Sequence, residues 1–122
     1  MALIDTQSQD ALLTDVRTNS NKLILCSSAP ATYAAAVSAQ LAEKSSPSFG
    51  AIGAYAGGRR FEISAITDGS GTATGTATDW ALIDTANSRL KATKALASSV
   101  AIASGATIKI AGGNYVNALN AV

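Results

Sequence analysis

Residues 72–92 read TATGTATDWALIDTANSRLKA, and their alternation decides the architecture. Thr72, Thr74, Thr76 and Thr78 alternate with Ala73, Gly75 and Ala77, giving a strand with one threonine face and one nearly flat face. Trp80, Leu82 and Asp84 then share one side of the next strand. Thr85-Ala86-Asn87-Ser88 supplies the small polar residues of a turn, and Arg89-Leu90-Lys91-Ala92 returns as the partner, which makes a β-hairpin.

The same period of two extends in both directions. Upstream, Phe61, Ile63 and Ala65 point one way while Arg60, Glu62 and Ser64 point the other. Asp68-Gly69-Ser70-Gly71 reads as a turn, because glycine accepts positive φ and aspartate bonds its own backbone. Downstream, Val100 and Ile102 mark a short strand and Ser104-Gly105 a turn. Ile108 and Ile110 flank Lys109 in the last clear strand, and residues 111–122 carry no assignable pattern. Strands and turns at this regular spacing predict a sandwich rather than βαβ units.

The N-terminal third differs. Residues 6–18 predict a helix, with Thr6 or Ser8 as cap, Asp10 near its positive end, and Leu12, Leu13 and Val16 as its apolar stripe. Asn19-Ser20-Asn21 ends it, and Lys22–Cys26 (KLILC) reads as a buried strand. After Ala29-Pro30, the alanine-rich residues 31–43 predict a second helix with Tyr33, Val37 and Leu41 on one face. Residues 44–58, with Pro47 and four glycines, read as a loop or exposed arm. The expected fold is therefore one mainly β domain over residues 1–122. It is an antiparallel, jelly-roll-like two-sheet β-sandwich with a short N-terminal helix and a second short helix.

Composition narrows the function classes. A hydrophobic content of 48% supports a core, but aromatics are only 5%, so burial of small side chains predicts modest stability alone. Charged residues are 14% with a net charge of +1, which argues against a nucleic-acid track and for a surface covered by neighbours. No stretch reaches the roughly 20 apolar residues of a membrane span. The N-terminus also lacks a signal-peptide pattern, so the expectation is synthesis in a cytoplasm and no membrane partner.

With no histidine and one cysteine, histidine-based triads and zinc sites built on imidazole or thiolate clusters have no residues to use. Cys26 reads as a buried small hydrophobe. Asp68, Asp79 and Asp84 are the remaining carboxylates to consider as a pair. Each is better explained by a turn or strand end, and their spacing is not that of a calcium loop. The expectation is no catalytic residue, no metal and no cofactor. Trp80 reads as core rather than interface anchor. Arg59 and Arg60, which follow Gly57-Gly58, are candidate interface residues because arginine pairs bidentately with carboxylates. Tyr55 and Tyr115 are the aromatic interface candidates.

Two segments carry a resemblance. Trp80-Ala81-Leu82-Ile83-Asp84-Thr85-Ala86 and Ile102-Ala103-Ser104-Gly105-Ala106-Thr107-Ile108 follow an amphipathic helix and the KLILCSSAPATYAAA stretch. That order resembles a group of small virion structural proteins of tailed bacteriophages. The resemblance spans most of the chain and departs at residues 44–60 and at the tail. It implies a non-enzymatic decoration, cement or minor capsid protein on the head surface of the virion, working as a homotrimer beside the major capsid protein. Other readings are a tail, neck or fibre-base component, or a carbohydrate-binding module, for which the tyrosines at 33, 55 and 115 lie far apart in sequence.

Overall fold

The computed structural model describes residues 5–55 and 58–118, and the chain is mainly β with two antiparallel sheets. In chain order the elements are α1 (Thr6–Asn19), β1 (Lys22–Cys26), α2 (Tyr33–Ser38), β2 (Gln40–Ser45), β3 (Gly53–Tyr55) and β4 (Gly58–Ile63). They continue with β5 (Ile66–Gly71), β6 (Gly75–Asp84), β7 (Arg89–Ile102), β8 (Thr107–Ile110) and β9 (Asn114–Ala118). Six strands form one sheet in the order β7-β6-β1-β2-β5-β8, curled into a half-barrel. The other three form a small sheet, β3-β4-β9.

The larger core cluster joins the two sheets and α1. Leu13 of α1, Leu23 and Leu25 of β1, Trp80 and Leu82 of β6, and Phe61 of β4 meet there. On the opposite side of the six-stranded sheet, α2 covers Ile24, Cys26, Ala81 and Ile83 through Ala36 and Tyr33. Strand β1 from Leu23 and the second half of β6 are thus covered on both faces, which is why Leu23–Cys26 and Trp80–Ile83 are continuous apolar runs.

Several expectations change in detail. Asp5 caps α1, not Thr6 or Ser8: its carboxylate accepts from the Ser8 N–H at 2.8 Å. The buried side of α1 carries Gln9 and Leu13, with Val16 packed beside them, and Leu12 is 54% exposed. The alanine-rich stretch is helical only over Tyr33–Ser38, and Gln40–Ser45 is a central strand between β1 and β5. Hydrogen bonding to two neighbours outweighs alanine's helix propensity there. Leu41 and Ala42 become core residues, while Val37 is exposed.

The supposed arm at 44–58 is also partly built. Phe49 bridges to Ile63, and β3 pairs with β4 as the edge of the small sheet; Ala56 and Gly57 lie outside the described residues. Asp68-Gly69-Ser70-Gly71 is strand β5, not a turn. Its glycines admit close crossings: a side chain on Gly69 would meet the Ile108 carbonyl oxygen at 3.1 Å, and one on Gly71 the Ala103 carbonyl oxygen.

The threonine segment and the Trp80 segment are one strand from Gly75 onward. Likewise Val100 and Ile102 belong to the long strand β7. The break between them is a bulge: Ala77 pairs with Val100 but Asp79 with Ala95, so residues 96–99 stand opposite Thr78. The predicted hairpin is present, and Asp84 builds its turn by accepting from the N–H groups of Ala86 and Asn87 and from the Asn87 amide. In the unassigned tail, Asn114–Ala118 completes the small sheet, and residues 119–122 lie outside the described residues.

Candidate docking face

The candidate residues sit on the small sheet, where alternation along Arg59–Ile63 sends them to opposite faces. Phe61 and Ile63 point inward, 1% and 3% exposed. Phe61 meets Phe49 edge to face at 5.2 Å and lies under the Arg17 guanidinium. Arg59 points inward as well. Its Nε donates to Asp10 Oδ1 at 2.7 Å, so it clamps α1 to β4 and is not part of an outward interface.

Arg60, one residue on, faces out. Its guanidinium lies 4.0 Å from the centre of the Tyr55 ring on β3 and 3.7 Å from that of Tyr115 on β9. Three of the four candidate residues are therefore brought together, across three strands, by the pairing of Gly53 with Arg60 and of Glu62 with Tyr115. A cation held between two aromatic faces is attracted to both, by about 0.5–1 kcal/mol each where exposed. The guanidinium covers one face of each ring, which is where a sugar would stack.

Strands β9 and β7 share no pairing among the described residues. A cleft of about 260 Å³ lies between them, lined by Trp80, Thr93, Lys94, Tyr115, Val116 and Asn117 among others. A second cleft of about 260 Å³ continues along β7, between Leu96–Val100 on one side and Lys109–Asn114 on the other, and reaches Leu25. Trp80 belongs to the core, as expected, at 2% exposure. Its indole Nε1 is nevertheless buried with no hydrogen-bond partner among the described residues. From the sequence, Lys91 and Lys94 read as solvated surface, and Lys109 and Asn117 carried no signal; their place beside the clefts comes from the way β8 and β9 lie across from β7.

The electrostatics of the face follow from where the carboxylates are spent. Lys22 pairs with Glu43, Lys44 with Asp68, Arg59 with Asp10 and Lys91 with Asp15. The Lys91 ammonium and the Asn19 amide hold the Asp15 carboxyl below its usual value, and the Lys22 ammonium does the same for Glu43. Asp5 caps α1, Asp84 builds the hairpin turn, Glu62 accepts from the Gly113 N–H, and Asp79 accepts from the Thr78 hydroxyl. Arg60, Lys94 and Lys109 have no carboxylate partner among the described residues.

Among the described residues, no group of three or more His, Cys, Asp or Glu side chains is placed to hold a metal ion. Cys26 is fully buried, its Sγ directed at the Ala36 carbonyl, and burial pushes its thiol up to about 11. What the arrangement offers is a rigid surface of aromatic rings, unneutralised cations and unpaired strand edges. Neither a known protein family, nor a curated protein, nor a solved structure matches the chain.

Proposed function

We propose that this chain is a non-enzymatic structural protein of a tailed-bacteriophage particle, docked on the head beside the major capsid protein as a homotrimeric decoration protein. The observation that carries the reading is the Tyr55–Arg60–Tyr115 stack on the outward face of a sheet whose inward face is fixed to α1. Tyrosine and arginine dominate the binding energy of protein interfaces. Holding them in place beforehand lowers the ordering cost of each contact. A shell that presents many equivalent positions then multiplies weak contacts into firm attachment. The segments behind the phage resemblance, Trp80–Ala86 and Ile102–Ile108, supply the β6–β7 hairpin and the β7–β8 turn, and so the framework that carries this surface.

The test is quantitative mass spectrometry of purified particles bearing wild-type or Arg60→Ala protein, with thermal melts of both isolated proteins. The expected result is a fixed ratio of wild-type chain to major head protein, and loss of the variant from particles despite an unchanged melt. Absence of the wild-type chain from particles, or its presence only at the tail junction, overturns the head assignment.

A further inference from the structure

We infer that the seam between β7 and β9 is a docking groove for an acidic, extended segment of a partner polypeptide, which adds as a strand to the free edge of β7. The inference rests on the reading above that the chain works by docking, and it names the chemistry of what docks.

The first argument is backbone hydrogen bonding. Among the described residues, β7 ends the six-stranded sheet and pairs with β6 alone, while β9 ends the small sheet and pairs with β4 alone. Each leaves a row of N–H and C=O groups without a strand partner, which is the template for strand addition. The two clefts beside β7 run along residues 93–100 and are open to solvent at the surface. Seven residues of extended chain span about 23 Å, enough to follow such a seam.

The second argument is the core residue at the floor. Trp80 lines the cleft, and its buried indole N–H has no acceptor among the described residues. An incoming carbonyl or carboxylate oxygen meets that N–H once the side chains over it part. The third is charge. Lys94 and Lys109 line the two clefts, Arg60 stacks on the Tyr115 ring that lines one of them, and none of the three has a carboxylate partner among the described residues. An acidic segment complements them. A second copy of β7 does not, because it brings its own Arg89, Lys91 and Lys94. Nucleic acid would use the cations but leave the strand edge unpaired.

Trp80 is the sole tryptophan, so its fluorescence reports on the groove directly. The full chain is titrated with a peptide alternating valine and glutamate, and with three comparison probes: its lysine counterpart, the glutamate peptide N-methylated at alternate residues, and oligothymidylate. The expected result is a saturable emission change with the glutamate peptide alone. Lys94→Glu and Lys109→Glu, both at exposed positions, should each weaken it at least about tenfold while leaving the melt unchanged. No response to the glutamate peptide overturns the inference. So does equal binding of the N-methylated peptide, insensitivity to both charge reversals, or binding of oligothymidylate in its place. Particle mass spectrometry reads the virion assignment separately, so either proposal can fail while the other stands.

Discussion

Replacing Gly71 with alanine tests the joint that closes the half-barrel. Gly71 ends β5 where the chain leaving β7 crosses it. Its N–H donates to the Ala106 carbonyl at 2.8 Å, and its carbonyl accepts from the Gly105 N–H at 2.9 Å. A methyl group there strikes the Ala103 carbonyl oxygen and comes within 3.2 Å of Ile102 Cγ2. The obstacle is backbone, so relief requires the 103–106 turn to move and at least one of those hydrogen bonds to lengthen. Overpacking costs about 1–3 kcal/mol and a weakened hydrogen bond about 1 kcal/mol, or about 2–4 kcal/mol together. That is a large part of the ~5–15 kcal/mol available to a domain, and at about 4 °C per kcal/mol it lowers the midpoint by about 8–16 °C. Gly53→Ala is the control: nothing lies within 4 Å of the added methyl group, and it should be neutral or stabilising by up to about 1 kcal/mol. Urea and thermal unfolding of both variants give the comparison. A Gly71→Ala protein as stable as wild type refutes the crossing.

Phe61→Ala removes the ring that Phe49 and Arg17 both meet, and should cost about 3–5 kcal/mol in urea unfolding. Cys26 should resist a thiol reagent at pH 8 in the folded protein and react fully once unfolded; rapid labelling of native protein would contradict its burial. Hydrogen bonds from Lys91, Lys22 and Asn87 lower the folded-state values of Asp15, Glu43 and Asp84 from 3.8, 4.5 and 3.8 respectively. The unfolded chain therefore binds more protons in that range. The contribution is complete above about pH 5 and is lost as pH falls through the folded values. Denaturant midpoints should be lower at pH 3 than at pH 6, and the reverse order would refute these partners.

The elements legible in the sequence were those whose local pattern agreed with their tertiary place. Leu23–Cys26 and Trp80–Ile83 are apolar throughout because α2 covers one face of them and α1 with the small sheet covers the other. The hairpin at Asp84–Arg89 is set by its own turn residues. Misreadings arose where distant partners overrode local preference. Residues 40–43 at the end of the alanine-rich stretch look helical, but β2 is recruited by β1 and β5. Gly69 and Gly71 look like turn glycines, yet they serve backbone crossings that no local pattern announces. Strand β9 exists only because β4 offers it an edge.

The same logic holds for the docking face. Tyr55, Arg60 and Tyr115 were legible as residue types suited to interfaces, but their union depends on two strand registers. Arg59 looked equivalent to Arg60, and a single step of alternation turned it inward onto Asp10. The place of the seam cations was not legible, since Lys94 and Lys109 come to border the two clefts along β7 only when β8 and β9 are placed across from it.

The most direct test of the proposed virion role is a cryo-EM reconstruction of an intact phage particle whose genome encodes this chain. The account predicts density for this fold on the outer head surface, with Tyr55, Arg60 and Tyr115 turned toward a neighbouring protein. A reconstruction in which the chain is missing, or in which that face points to solvent, would contradict it.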